Sequence, residues 1–233
     1  YADAGARLRN LLEIGEWDLG SAGGAAGYRF ERGRNALRVE YAYDGVWVGA
    51  EPFLTSHQVQ VDGDVELFGA RAGALLTARH ETYLALQSPG LAALETDRYT
   101  GPSFDGELSL GFGGGKGELR LRYRGERHLS RDPDVSWLDH GPGVRTVAAF
   151  AAGRLVVDAQ VTSRTYGAVV PEFGDVVRQD TYLDGVVTVE QDVSRQLTLY
   201  LSLGGRKAFS NVGSLEYTRL AGSAGAIFTA GLW

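Results

Sequence analysis

The chain of 233 residues contains no cysteine and no methionine. Without cysteine there is no disulfide framework, no thiolate metal site and no cysteine nucleophile. Without methionine, and with Tyr1 in first place, the sequence reads as a processed or partial chain, for example one that has lost a signal peptide. No run approaches the ~18 to 20 uninterrupted apolar residues that a membrane helix needs. Positive charge is also in deficit: Lys plus Arg total 23 against 29 Asp plus Glu, a net charge of −6. With a pI of about 5.3, that balance speaks against the basic face of a nucleic-acid-binding module. At 44% hydrophobic and 22% charged residues, the chain is neither disordered nor a helical membrane protein. Its length suits a single domain over residues 1–233.

Glycine is what the chain has in excess, 33 residues, about double the usual ~7%. No Gly-X-Y period accompanies it. The dominant pattern is instead an alternation of period two, the signature of strands with two chemically different faces. In Glu118–Arg124, Leu119, Leu121 and Tyr123 oppose Glu118, Arg120, Arg122 and Arg124. In Gln196–Ser202, Leu197, Leu199 and Leu201 oppose Gln196, Thr198, Tyr200 and Ser202, and Leu37, Val39, Tyr41 and Tyr43 oppose Arg38, Glu40 and Asp44. A helix would spread these residues around its circumference and leave no apolar stripe.

Extended along the chain, this pattern predicts about twelve strands, near 7–19, 25–32, 36–48, 57–69, 73–86, 103–112, 117–128, 143–151, 154–166, 181–192, 195–208 and 217–232. Residues 91–97 have the makings of one helical turn, bracketed by Gly90 and Pro102 as loop. Short turns at 32–35, 69–72, 113–117, 152–154 and 192–195 alternate with longer connections at 49–56, 87–102, 129–142, 167–180 and 209–216. The first connection, around Ser21–Gly24, is short. In an up-and-down meander every second connection lies at the same end, so one end carries tight turns and the other long loops.

A meander of ~12 strands must dispose of its edges, and closure into a barrel does so completely. Alternation alone fits both a soluble barrel with an apolar core and a membrane barrel with an apolar outside. The strand lengths, about 10 to 14 residues against a soluble mean of ~5 to 6, favour the membrane form. So does the even strand number. Twelve strands also enclose a lumen wide for a dry core of Leu, Val and Tyr but suited to a wet, charged one.

On the strands Glu118–Arg124, Leu155–Tyr166 and Gln196–Ser202, the tight turns, and a last strand ending in aromatic Trp233, the chain resembles bacterial outer-membrane β-barrels over essentially its whole length. That resemblance implies a closed, antiparallel, up-and-down transmembrane barrel located in the outer membrane of a Gram-negative envelope. It also implies short periplasmic turns, long outward loops, contact with outer-membrane lipids, and insertion by the barrel-assembly machinery with the terminal strand as signal. The apolar face of that strand, Leu220, Ala226, Phe228, Ala230 and Leu232, sets Trp233 in the opposite register, a departure from the pattern of such signals. Residues 178–182, Ser210-Asn211 and 216–219 also look like the final strands of barrels appended to helical-repeat modules in bacterial export systems; no such repeats precede them here.

The expected lumen wall comprises Arg38, Glu40, Asp62, Asp64, Glu66, Arg79, Glu81, Asp105, Glu107, Arg120, Arg122, Arg124, Asp158, Arg164, Asp184, Glu190 and Arg206, with Gln60, Glu118, Glu126, Arg145 and Gln160 beside them. Charge ladders of this kind select polar solutes in a pore, and they equally form a lumen that only satisfies itself by salt bridges. On the other face, Tyr28, Tyr41, Tyr43, Trp47 and Tyr123 are expected at membrane interfaces, where amphipathic rings suit the headgroups. Ordinary strand preference for aromatics is the alternative.

Passive passage of ions or small polar solutes is the expected function. A barrel that does not conduct and instead anchors or serves an envelope assembly, with protein partners in export, polysaccharide secretion or surface motility, is the alternative. A hydrolase ranks below both: Asp139-His140 and Ser210-Asn211 are its only pieces, and adjacent strand residues point apart. Asp132, Asp134 and Asp139 lack the spacing of a calcium loop, and Gly111–Gly117 is too short for a phosphate loop. No catalytic residue, metal ligand or cofactor is therefore assigned.

Overall fold

In a computed structural model, the described residues are 2–10, 19–33, 35–48, 51–84, 96–114, 116–169, 176–194 and 196–228. They form β1 (Ala2–Asn10), β2 (Leu19–Arg32), β3 (Asn35–Val48), β4 (Glu51–Leu67), β5 (Ala70–Tyr83), β6 (Gly101–Gly114), β7 (Gly117–His128), β8 (Trp137–Phe150), β9 (Gly153–Val169), β10 (Val177–Asp192), β11 (Leu197–Ser210) and β12 (Tyr217–Phe228). The only described helical pieces are 3₁₀ turns at Thr96–Tyr99, Pro133–Val135 and Gly213–Leu215. All the strands belong to one 12-stranded sheet in sequential order, each antiparallel to the next. The fold is thus an all-β, up-and-down meander. Among the described residues β1 and β12 are its two edges.

Several connections differ from those read in the sequence. The first strand is Ala2–Asn10 rather than 7–19, and Ser21–Gly24 lies inside β2, paired with Arg9 to Ala6 on one side and Val46 to Tyr43 on the other. Glycine and alanine there mimic a turn, but two flanking ladders hold even a glycine-rich segment extended. The expected loop 49–56 is replaced by strand from Glu51, and the loop 129–142 ends at Ser136, because β8 starts at Trp137. Likewise 177–180 and 209–210 are strand. Period-two patterning fades near loops, and inter-strand hydrogen bonding carries the strands beyond it. Of the loop 87–102 and the helical turn at 91–97, residues 85–95 lie outside the described residues, as does Trp233.

Among the described residues the sheet is a single layer, with no second layer packed on it. Hydrophobic side chains that are buried number only Val48, Val156, Tyr182 and Ala208 among the described residues. The accessible area is 15518 Å², whereas a soluble globular chain of 25.0 kDa exposes about 10,000 Å². Much of the excess is apolar, with Leu76 64% exposed, Leu108 68% and Leu220 82%.

The two faces are separated by register. Cross-strand partners share a face, so the chains of partners can be followed around the sheet. One runs Arg38, Asp62, Leu75, Glu107, Arg124; another runs Leu37, Gly63, Ala74, Leu108, Tyr123. The charged face is concave. Arg120 on β7 comes within 4.0 Å of Asp64 on β4, three strand spacings or about 14 Å away in a flat sheet, farther than the two side chains span. Curvature closes that gap, and the intervening residues Gly73, Ser109 and Gly111 leave it open. The β8–β9 ladder is interrupted at Gly141-Pro142, where proline has no N–H to give.

Candidate functional site

The concave face carries the chemistry of this chain. From β2 to β12 the pairing register puts every carboxylate of the described strands on it and none on the convex face. All the residues expected in a lumen wall fall on this one face, from Arg38 and Glu40 on β3 to Arg206 on β11.

Most arginines here are paired with carboxylates. Arg38 bonds Glu40, and Arg79 lies 3.5 Å from Glu81 while donating through Nε to Gln58 at 3.1 Å. Gln58 donates to Gln60 and Gln60 to Asp62, both at 3.3 Å, so amides link Arg79 to Asp62 along β4. Arg120 pairs with Glu118 at 2.9 Å and approaches Asp64. Arg124 bridges Asp105 on β6 and Glu126 on its own strand. Arg122 passes over β8 to reach Asp158 and Gln160 on β9. It does so at Gly143, where an added Cβ would stand 2.7 Å from the Arg122 Nε. Arg154 pairs with Glu190 at 2.7 Å, and Arg206 grips both oxygens of Asp184 at 2.6 and 3.1 Å.

A second group lies where the strands meet the longer connections. Arg164 donates to Asp139 at 2.6 Å, its guanidinium 3.8 Å above the Trp137 ring, whose other neighbour is the His128 ring. Arg178 stacks over Tyr166 and bonds Asp180, which also accepts from the Tyr182 hydroxyl at 2.7 Å. Around them a cavity of about 470 Å³ is lined by side chains of β5 to β10, including Glu81, Glu126, His128, Trp137 and Arg178, with Tyr99 and Val135 from two of the 3₁₀ turns. These turns are tied together by an Arg98–Asp132 pair at 2.7 Å. The connecting segments therefore fold over the concave face at this end.

Trp137, Asp139, Arg178 and Asp180 were missed as wall residues because their segments, 129–142 and 167–180, read as loop, whereas Tyr166 and Tyr182 stood at the ends of expected strands without being assigned to the site. The alternation Arg178, Asp180, Tyr182 was the available signal, since it continues that of β10. Some charges stand apart: among the described residues no ion pair or hydrogen bond is found for Glu107 or for Arg145, which lies beside Arg120. Asp139 and His140 do not form a pair. Asp139 is buried against Arg164, whereas His140 is exposed on the convex face and bonds the Tyr123 hydroxyl at 2.7 Å. No cluster of three or more potential metal ligands is found among the described residues.

On the convex face Tyr28, Tyr41, Tyr43 and Tyr123 are exposed. Tyr41 bonds His57 at 2.7 Å, and His57 lies opposite His80. Trp47 is half-buried, folded back over Gly45 at the bulge between β3 and β4. Phe30, Phe68, Phe112 and Phe150 lie by the tight turns, and Phe104 and Phe209 lie toward the longer connections, so exposed aromatics flank this face at both ends.

The class of protein these features define is a curved, single-layer antiparallel meander with one charged and one apolar face. No protein-family model matches the chain, and a search of curated proteins finds no match.

Proposed function

We propose that the meander closes into a twelve-stranded barrel in a bacterial outer membrane and passes ions or small polar solutes through its charged interior. The observation that carries this reading is the segregation of carboxylates on the described strands: from β2 to β12 all face the concave side, while the convex side exposes Leu, Val, Phe and Tyr. A water-soluble monomer rarely leaves apolar patches beyond a few hundred Å² uncovered. Lipid is the solvent such a face requires, and a wet lumen is the one the other face requires. The dimensions agree. From Leu197 to Lys207, β11 measures about 33 Å, or about 25 Å once tilted by ~40°, the height of an apolar barrel band.

Carboxylates outnumber arginines on the concave face, so the pathway favours cations. Ions pass by exchanging part of their hydration for the lumen's Arg, Asp and Glu, and the overfolded segments narrow the mouth without covalent chemistry. A second reading is supported by the pairing itself: arginines most of which are committed to carboxylates suit a closed barrel that anchors or serves an envelope assembly. Planar-bilayer conductance of the purified, refolded chain across a salt gradient separates the two. Stable open steps with a cation preference support the channel. A folded, heat-modifiable barrel that stays silent overturns it and leaves the anchoring role.

A further inference from the structure

The convex face, free of carboxylates, nevertheless carries cations. Arg127 on β7 and Lys207 on β11 lie within three residues of the strand ends that meet the longer connections. Register puts both outward: Arg127 opposes Phe104 and Leu138, and Lys207 opposes Leu183 and Thr218. Neither has an anionic partner among the described residues; Lys207 has only the Phe209 ring, 5.4 Å from its Nζ. The contrast with the concave face, where most arginines are neutralised, is sharp. Between the two cations the same rim presents His140, Ser163, Thr165 and Thr181, which can all donate hydrogen bonds.

An uncompensated cation on a lipid-facing strand costs ~2 to 4 kcal/mol at the bilayer midplane and close to nothing at the interface. These two therefore belong at headgroup level, where the anion at hand is phosphate. We infer that the rim of β7 to β11 is a binding surface for the phosphates of anionic lipid headgroups, held by Arg127 and Lys207 and supported by the hydroxyls between them. The inference rests on the membrane-barrel reading and adds to it a lipid chemistry and a side of the barrel. The cations lie about four strand spacings, ~19 Å, apart, so they contact separate phosphates rather than one.

The test is native mass spectrometry of the refolded barrel released from bilayers holding phosphatidylglycerol and phosphatidylcholine in equal amounts. A basic side chain near an anionic surface is worth ~1 kcal/mol, so about fivefold enrichment of phosphatidylglycerol adducts is expected per cation. Arg127→Gln with Lys207→Gln should bring the two lipids to parity, Arg127→Lys with Lys207→Arg should keep the preference, and Arg145→Gln on the concave face should leave it unchanged. An inserted, heat-modifiable barrel that shows no preference, or a preference that survives the double glutamine change, overturns the inference while the membrane reading stands. A chain that never inserts takes both down.

Discussion

Arg122 offers the sharpest test of the concave face as a pathway. It crosses β8 at Gly143 and neutralises Asp158 on β9. Arg122→Gln removes the cation and leaves the Asp158 carboxylate facing the lumen; Asp158→Asn does the reverse. One elementary charge at ~5 Å in water is worth about 0.8 kcal/mol, roughly fourfold in the permeability of either ion in opposite directions, and so up to about sixteenfold in the ratio of cation to anion permeability. Arg122→Gln should therefore raise that ratio by up to about sixteenfold and Asp158→Asn lower it by a similar factor, with screening trimming both at high salt. Gly143→Ala changes no charge, yet its new methyl group takes the space of the Arg122 Nε and, at 3.1 Å, crowds the Ala159 carbonyl oxygen. It should displace the guanidinium and move selectivity in the same direction as Arg122→Gln, by less. Reversal potentials under a tenfold KCl gradient read all three. Shifts in the same direction for Arg122→Gln and Asp158→Asn, or no shift for either in a conducting barrel, would refute the reasoning.

Because the chain has no cysteine, single cysteines report each face without background. In bilayers Arg122→Cys and Arg124→Cys should react with a charged, water-soluble maleimide, and Leu121→Cys and Tyr123→Cys only with a lipid-soluble one; uniform reactivity would remove the two-faced barrel. Closure predicts that a cysteine at Ala224 on β12 forms a disulfide with one position in a series stepped through residues 3–9 of β1, read as a band that loses heat-modifiability only after reduction. Asp139→Ala strands Arg164 between the Trp137 and Tyr182 rings. Removing one partner of a charged hydrogen bond costs about 1.5 to 3 kcal/mol, and with Asp139 7% exposed the upper part of that range is expected in the urea midpoint. His140→Ala, on the opposite face, should cost under 1 kcal/mol.

How much of this was legible follows from where the alternation is strong. Glu118–Arg124 reads as a two-faced strand from its letters alone, and β7 is found with its expected bounds, Gly117–His128. Short-range pattern cannot disclose what depends on neighbours. The tract Ser21–Gly24 looks like a turn until two ladders are seen to hold it, and Asp139 looks like a loop acid until Arg164 is seen to cover it. The expected charged wall was legible residue by residue, because period two fixes the face. Its partners were not: Arg122 finds Asp158 through the absence of a side chain at Gly143, a fact of curvature and register rather than of local sequence.

The same pairs bear on whether the proposed barrel conducts. An arginine that only braces the wall would be served by the nearest carboxylate, as Arg154 is by Glu190 on the adjacent strand. Arg122 instead reaches over β8 to Asp158, and Arg120, paired with Glu118 on its own strand, also extends over β6 and β5 toward Asp64; the residues beneath them are small, Gly143 on one side and Gly73, Ser109 and Gly111 on the other. Larger side chains at those positions would fill the interior as a core does and make it dry. Small residues under long charged ones keep the backbone wall clear while placing charge off the wall, where a passing ion meets it. A barrel selected only to anchor has no need of that clearance. Replacing Gly73, Ser109 and Gly143 together by leucine should therefore leave an anchoring barrel competent with its partners, and abolish open steps in a channel at protein levels that still insert.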